Sequence, residues 1–169
     1  IDAQNRIFIS GLFTSSDCNF DGDTTLSNDG IADIYLAKLD ASGNLFWVKH
    51  IGRGESFQEG SSLEVDASEN VILSIDYQDS VRISGEQKDT IVYSASSGAN
   101  GIAIIKLNNS GEIYENNIYN IQTDDVAYIY NIETSSEKYY ITGRYRGSIF
   151  FKSDDFTSTS SSYDLFLLS

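Results

Sequence analysis

The sequence predicts an all-β protein built from repeated units of four antiparallel strands. Short runs rich in Ile, Val, Tyr and Phe recur between clusters of Gly, Ser, Asn and Asp, which is the pattern of strands separated by turns. No stretch keeps a helical period with caps at both ends. Similar segments also recur 64 to 68 residues apart along the 169-residue chain, and such repetition indicates stacked copies of one structural unit.

The predicted strands follow one another in order along the chain. Two of the turns between them, at residues 41–44 and 109–112, have Gly at the third place, where it supplies the positive φ that short hairpin loops require. Strands joined by such turns are antiparallel. The strand-like runs are residues 6–13, 34–39, 45–50, 63–66, 71–77, 102–107, 139–145 and 163–168.

The repeat rests on two segments of the unit. Residues 1–10 match residues 65–74, and residues 34–43 match residues 102–111. Third copies of both are found at residues 139–145, which match 7–13, and at residues 163–168, which match 32–37. In each unit the longer connection is the one that joins the second and third strands.

Units of this length and composition predict β-propeller blades of four antiparallel strands. Repeat one is residues 1–60, repeat two 61–126 and repeat three, which is incomplete, 127–169. The chain would then form a partial propeller of about two and a half to three blades, whereas closed rings have about four to eight. We expect the remaining blades of a larger protein, or a partner chain, to complete the ring.

The repeated segments resemble the SBBP-type β-propeller repeat of bacterial secreted and surface proteins. The matching residues are Val65-Asp66, Asn70-Val71, the stretch from Asp33 to Asn44, and Phe46-Trp47. Nearly the whole chain takes part, although Gly101 stands at the Asp33 position and Glu115 at the Trp47 position in repeat two. The resemblance implies an extracellular or cell-surface bacterial protein that acts as a scaffold or adhesion module.

The charge balance excludes several classes of partner. The chain has 25 Asp and Glu against 11 Lys and Arg, a formal charge of -14, which argues against binding to nucleic acid or to an anionic membrane surface. No apolar run approaches the roughly 20 residues that cross a bilayer. A single cysteine excludes an internal disulfide framework and a multi-cysteine metal site.

One segment has part of a calcium-loop pattern. Asp17, Asn19, Asp21 and Asp23 have the spacing that places oxygen ligands around a hard cation, so they are the calcium candidate. The closing Glu is missing, because Asn28 stands at the twelfth place of the loop. Apolar residues also alternate here, as they do in the matching segments of the other repeats, which favours a solvated strand leading into a turn.

No residue set predicts catalysis. Cys18 stands where the other repeats have Val or Ile, which favours packing over nucleophilic chemistry. His50 is the only histidine and has no counterpart in repeat two. The recurring acids, such as Asp33 and Asp66, are interpreted as turn-capping residues that Lys38 and Lys106 can pair with, because a residue repeated in each unit serves the unit.

The tyrosines are the candidate ligand-binding residues. The chain has 11 of them, and Tyr128, Tyr130, Tyr140 and Tyr145 are close in sequence. Amphipathic aromatic side chains suit protein and sugar partners, although β-sheets are rich in tyrosine in any case, and packing between blades is the favoured interpretation.

The sequence therefore predicts a non-catalytic extracellular propeller segment that acts as a scaffold, adhesion or protein-interaction module. Its partners would be another protein or the remaining blades of the same protein, and no cofactor is expected unless calcium binds. The alternatives are a carbohydrate-binding propeller, with a glycan as partner, and a glycoside-hydrolase-type enzyme that uses acids such as Asp124 or Asp125.

Overall fold

The computed structural model describes residues 1–28, 30–53, 58–83, 91–94, 100–135, 138–151, 154–158 and 162–169. Every helix or strand in these ranges is a β-strand, which confirms the predicted all-β class. The strands are β1 (Ile7–Phe13), β2 (Asp17–Asn19), β3 (Thr25–Ser27), β4 (Asp33–Leu39), β5 (Leu45–Arg53), β6 (Gln58–Val65), β7 (Val71–Gln78), β8 (Ser80–Ile83), β9 (Ile91–Ser94), β10 (Asn100–Leu107), β11 (Ile113–Thr123), β12 (Val126–Ser135), β13 (Lys138–Arg146), β14 (Ser148–Phe151), β15 (Asp154–Thr157) and β16 (Asp164–Leu168).

The strands form three larger antiparallel sheets, of five, six and three strands. The first sheet has the order β1-β4-β5-β8-β9, the second β15-β14-β11-β10-β7-β6, and the third β12-β13-β16. Within the second sheet, β6, β7 and β10 overlap the runs predicted as strands at residues 63–66, 71–77 and 102–107, and β11 follows the turn predicted at residues 109–112. In the repeat, β1, β4 and β5 correspond to β7, β10 and β11, and each set has the same order in its sheet. Likewise, β12, β13 and β16 correspond to β6, β7 and β10.

One turn design recurs at the strand ends. A side-chain oxygen accepts hydrogen bonds from the backbone N–H groups two and four residues later, and the third residue after it has a positive φ. This geometry satisfies N–H groups that the sheet leaves without partners. The turns begin at Asp2, Asp40, Asp66 and Asn108, and their positive-φ residues are Asn5, Gly43, Glu69 and Gly111. The turn-capping role predicted for the recurring acids is therefore confirmed for Asp66, and Asp2 has the same role. Asp33 lies at the start of β4, where it is buried and binds His50.

In each unit the segment between the second and third strands forms a hairpin, and two of the three hairpins in the described residues join the preceding sheet. In the first sheet β8 pairs with β5, and in the second sheet β14 pairs with β11, so each hairpin extends the sheet of the unit before its own. The remaining hairpin, β2–β3, is a separate two-stranded sheet in the described part of the chain. The sequence predicted this longer connection but not where it pairs.

Two apolar cores join the three sheets. The first core lies between the first and second sheets and includes Ile34 and Leu36 against Leu73 and Ile105. The second core lies between the second and third sheets. The second sheet therefore contributes both faces to apolar contacts, which explains why β7 and β10 read as nearly continuous hydrophobic runs.

Candidate interaction surface on the third sheet

The third sheet has one face in the second core and one open face. Alternation along β16 places Phe166 and Leu168 in the core and directs Leu165 and Leu167 outward, with 78% and 64% of their surfaces exposed. We call the outward side the open face. It is defined by Tyr128, Tyr130, Tyr140, Arg144, Leu165 and Leu167.

Strand register assembles this face from three strands. Tyr128 of β12 pairs with Arg144 of β13, and Arg144 pairs in turn with Leu165 of β16, so the three side chains form one row across the sheet. Residues that are directly opposite in antiparallel strands share a face. The sequence alone does not bring these residues together, because they belong to three strands that its pattern leaves unaligned.

An arginine surrounded by tyrosines is the central feature of the open face. The Arg144 guanidinium lies 4.4 Å from the ring centre of Tyr163, 5.0 Å from that of Tyr128 and 5.8 Å from that of Tyr130. Each distance falls within the range of a cation–π interaction. Such contacts hold a long, flexible side chain in one position, which lowers the entropy it loses on meeting a partner.

A charged pair flanks this cluster. The Arg146 guanidinium donates two hydrogen bonds to the Asp125 carboxylate, at 2.5 and 2.9 Å. The hydrogen bonds from Arg146 hold the pKa of Asp125 below its ordinary value, against the opposing effect of burial. Asp124 accepts a hydrogen bond from the Ser148 backbone N–H at 2.6 Å. Of the two acids that the hydrolase alternative would use, Asp125 therefore binds Arg146, and Asp124 binds the backbone at the start of β14.

The four candidate tyrosines fall into two groups. Tyr145 is 7% exposed and packs in the second core, where its ring lies 6.2 Å from that of Phe166. Tyr128 is half-buried, and Tyr130 and Tyr140 are 54% and 38% exposed on the open face. Packing between sheets therefore describes Tyr145, whereas the other three are accessible. Sequence reasoning missed Arg144, whose position between tyrosines depends on the pairing of β12 with β13.

The calcium candidate residues lie on and beside the β2–β3 hairpin. Their oxygens bind the hairpin itself: Asn19 accepts from the Gly22 N–H, Asp21 accepts from the N–H groups of Asp23 and Thr24, and Asp17 accepts from the Ser27 hydroxyl. These backbone hydrogen bonds hold the pKa of Asp21 below its ordinary value. The described residues contain no cluster of three or more His, Cys, Asp or Glu side chains with the geometry of a metal site.

Cys18 and His50, the two residues considered for nucleophilic or acid–base chemistry, lie in different sheets. Cys18 is half-buried on β2, where its strand partner is Leu26. His50 Nε2 lies 2.8 Å from Asp33 Oδ2, and both side chains are almost completely buried beneath the Phe13 ring. This pair joins β5 to β4 inside the first sheet. A buried hydrogen bond of this kind holds two strands together. A catalytic group would in addition have to reach a substrate.

The recurring lysines make different contacts. Lys106 Nζ lies 3.3 Å from Asp66 Oδ2 and also donates to the Tyr139 hydroxyl at 2.5 Å, which links the second and third sheets. Lys38 instead donates to the backbone and side-chain oxygens of Asn109. The predicted pairing with a recurring acid is therefore confirmed for Lys106, while Lys38 uses an amide.

One cleft lies beside the Lys106 contact, between the second and third sheets. Its volume is about 290 Å³, close to the lower limit for small-molecule sites. The wall is mainly apolar, from Ile72, Ile104 and Phe151, with Lys106 and Tyr139 at its polar side. Lys106 and Tyr139 already bind Asp66, and Lys138 and Ser169 add further polar groups to the lining.

Comparison with known proteins adds no assignment. No known protein family and no curated protein matches the sequence of this chain. The part of the chain that the structure describes holds no helix with the length and hydrophobicity needed to cross a bilayer.

Proposed function

We propose that this chain is a segment of an extracellular bacterial β-propeller and acts as a non-catalytic scaffold that binds proteins through the open face. The observation that carries the proposal is the Arg144 cluster on a sheet face with exposed leucines. Tyr and Arg are the side chains most enriched at the energetic centres of protein interfaces. Each of the three sheets would be one propeller blade, and the pairing of a hairpin with the preceding sheet would lock successive blades together.

The open face has the anatomy of a docking surface. Arg144 is held between tyrosine rings at its centre, and Leu165 and Leu167 expose apolar surface beside it. A partner would cover the leucines and meet the guanidinium with an acceptor, and a desolvated Arg contributes most when its position is already fixed. We therefore place the protein-binding activity here rather than on the acidic β2–β3 hairpin.

Affinity capture tests the proposal. The 169-residue chain, immobilised, would be exposed to the extracellular protein fraction of its source cells and compared with Arg144→Ala on the same support. We expect at least one protein to be enriched about 10-fold or more over the Arg144→Ala chain, since loss of an interface hot spot costs about 2 kcal/mol. Arg82→Ala, a change on β8 away from the open face, is the matched control. Equal capture by all three chains would overturn the proposal.

A carbohydrate-binding propeller is the second candidate, and the exposed rings of Tyr130 and Tyr140 favour it. Aromatic rings with one polar end stack on sugar faces. A glycan array separates the two functions: binding to defined glycans that Tyr130→Ala abolishes would replace protein binding by sugar binding, whereas no binding above background agrees with the protein scaffold.

A further inference from the structure

The open face of the third sheet matches positions that are buried elsewhere in the same chain. By the sequence repeat, Tyr140, Leu165 and Leu167 of the third sheet correspond to Phe8, Ile34 and Leu36 of the first. Their counterparts in the second sheet are Ile72, Ile102 and Ile104. The strand order supports this correspondence, because β13 pairs with β16 as β1 pairs with β4 and as β7 pairs with β10.

The exposure of these matched positions differs sharply. Ile34 and Leu36 are 0% exposed in the first core, whereas their counterparts Leu165 and Leu167 are 78% and 64% exposed. Side-chain chemistry does not explain the difference, since all four are large aliphatic residues. The cause is the neighbour: another sheet covers the first and second sheets on this side, and the described residues place none over the third.

The opposite end of the stack presents the complementary face. The second sheet meets the first through β7 and β10, with Val71, Leu73 and Leu107 in the first core. The matching positions of the first sheet are Ile7, Ile9 and Leu39, on the side away from the second sheet. Ile9 is 42% exposed there, whereas Phe13 and Ala37 on the same side are buried, and the Phe20 ring of the β2–β3 hairpin lies 4.9 Å from that of Tyr35. The uncovered part of this side is the end that carries Ile9. We call this side the outer face of the first sheet.

The open face and the outer face consist of different positions of the repeat, and they correspond to the two sides of each contact between sheets inside the chain. Wherever two sheets meet in this chain, the side equivalent to the open face packs on the side equivalent to the outer face. The third sheet of one copy therefore carries one half of such a contact, and the first sheet carries the other half. Two identical chains can satisfy both halves only by meeting head to tail.

We propose that the open face of the third sheet docks on the outer face of the first sheet in a second copy of this chain. The proposal rests on the proposed function, because it names the partner of the surface assigned there. A contact between two different patches of identical chains is heterologous, and repeats of it give a closed ring or an open filament. Exposed apolar area on the open face supplies the driving force.

Analytical ultracentrifugation over a range of protein concentrations tests the docking. We expect the mass of the wild-type chain to rise with concentration to about twice the 18.7 kDa of one copy or more. Leu167→Glu on one face, or Ile9→Glu on the other, buries an unpaired charge in the contact and should weaken association at least about 10-fold. Leu165→Lys is a second variant of the open face. Circular dichroism and thermal unfolding verify that each chain folds.

Mixing the two variants gives the decisive result. The Leu167→Glu chain keeps a normal outer face, and the Ile9→Glu chain keeps a normal open face, so an equimolar mixture should form a 1:1 pair while each variant alone stays monomeric. Phe156→Glu is the matched control, because this exposed aromatic lies on β15 at the edge of the second sheet, outside both faces. It should associate as the wild type does.

Several results would overturn the docking proposal. A wild-type chain that stays monomeric at all concentrations, and also at higher salt that screens repulsion between two chains of charge -14, would do so. Loss of association in Leu167→Glu but not in Ile9→Glu would show a symmetric contact instead. If the chain is monomeric yet captures a protein in an Arg144-dependent way, the docking proposal fails and the proposed function stands. Self-association without any captured protein supports the docking proposal alone.

Discussion

Asp66 shows how one side chain closes a turn and joins two sheets. Burial opposes ionisation of its carboxyl group, but hydrogen bonds from the side chain and backbone of Asn70, and then the contact with Lys106, hold its pKa below the ordinary value. Lys106 in turn donates to Tyr139 of the third sheet. The same carboxylate therefore fixes a local turn and anchors a contact between units.

The pKa of Asp66 predicts acid sensitivity. Since the pKa is lowered on folding, the carboxylate stabilises the protein above its unfolded-state pKa and loses that effect as the pH falls through the folded-state value, below about pH 4. Asp66→Asn keeps the turn oxygen, as Asn108 does in the matching turn, and removes the charge. Urea unfolding from pH 7 to acid should show a steeper loss of free energy of unfolding in the wild type. Asp155→Asn, at an exposed site, is the control, and parallel curves for the wild type and Asp66→Asn would contradict the prediction.

Gly11 and Gly143 occupy matching positions of the repeat, but an alanine should lower the free energy of unfolding by different amounts at the two sites. A Cβ on Gly143 would clash with the backbone oxygen of Tyr128 and lie 2.5 Å from the Phe166 ring. For a Cβ on Gly11, the three nearest atoms all belong to the Tyr35 side chain, at 2.8 to 3.0 Å. A ring of a half-buried side chain can shift and a paired backbone cannot. We expect Gly143→Ala to lower the free energy of unfolding by about 1–3 kcal/mol or more, and Gly11→Ala by less. Equal losses in denaturant titrations would contradict this reasoning.

Residue-level patterns predicted turns but not the backbone conformation of every turn residue. The glycines in the turns at Gly43 and Gly111 are visible signals, and both have positive φ in the structure. The matching turn has Glu69 at φ 65°, a conformation that a non-glycine residue seldom adopts. Glu69 accepts hydrogen bonds from Arg6 and Asn109, which lie 63 and 40 residues away. Contacts this distant in sequence are invisible to a local pattern.

At the scale of elements, the hairpins between second and third strands are part of the sheets they extend. Alternation along β14 directs Ile149 into the second core, where it is 0% exposed, and leaves Phe150 40% exposed. The segment that includes β14 follows the strand pair β12–β13 in sequence but pairs with β11 of the preceding unit. The hairpin thus links two units through backbone hydrogen bonds as well as apolar contact.

Alanine substitutions on β14 test this role. Ile149→Ala should lower the free energy of unfolding by about 2–5 kcal/mol, as expected for a buried aliphatic side chain, because it opens a cavity in the second core. Phe150→Ala, one residue along the same strand, should cost much less, within the range of surface substitutions. The measurement is urea-induced unfolding at neutral pH. A similar cost at both positions would show that β14 only lies against the sheet without packing into it.

At the scale of the whole molecule, the second sheet is the centre of the stack. Both of its faces contact another sheet, and Ile72, Leu73, Ala103 and Ile105 are at most 1% exposed. Among the described residues, the first and third sheets contact another large sheet on one face each, and on the other face of the first sheet the Phe20 ring of the β2–β3 hairpin packs against Tyr35. Stability should therefore be highest in the middle and decrease toward both ends, as in repeat proteins whose units are stabilised by their neighbours.

Native-state hydrogen exchange tests this gradient. The backbone N–H groups of β7 and β10 should exchange most slowly, and those of the β2–β3 hairpin fastest, because exchange reports the free energy of local opening. If the chain docks head to tail, protection in β13 and β16 should rise with protein concentration. Uniform protection across all three sheets would show that the stack opens only as one unit and would contradict the gradient.

The sequence by itself determined the all-β class, the turn residues and the recurrence of one unit, because each depends on residues within a few positions of each other. It also predicted strands at residues 63–66, 71–77 and 102–107, which overlap β6, β7 and β10, neighbours in the second sheet. Only the tertiary structure decided which sheet each hairpin joins and which matched side chains are buried. Ile34 and Leu165 have the same local pattern, yet one is enclosed and the other exposed, because burial depends on whether a second sheet lies against the first.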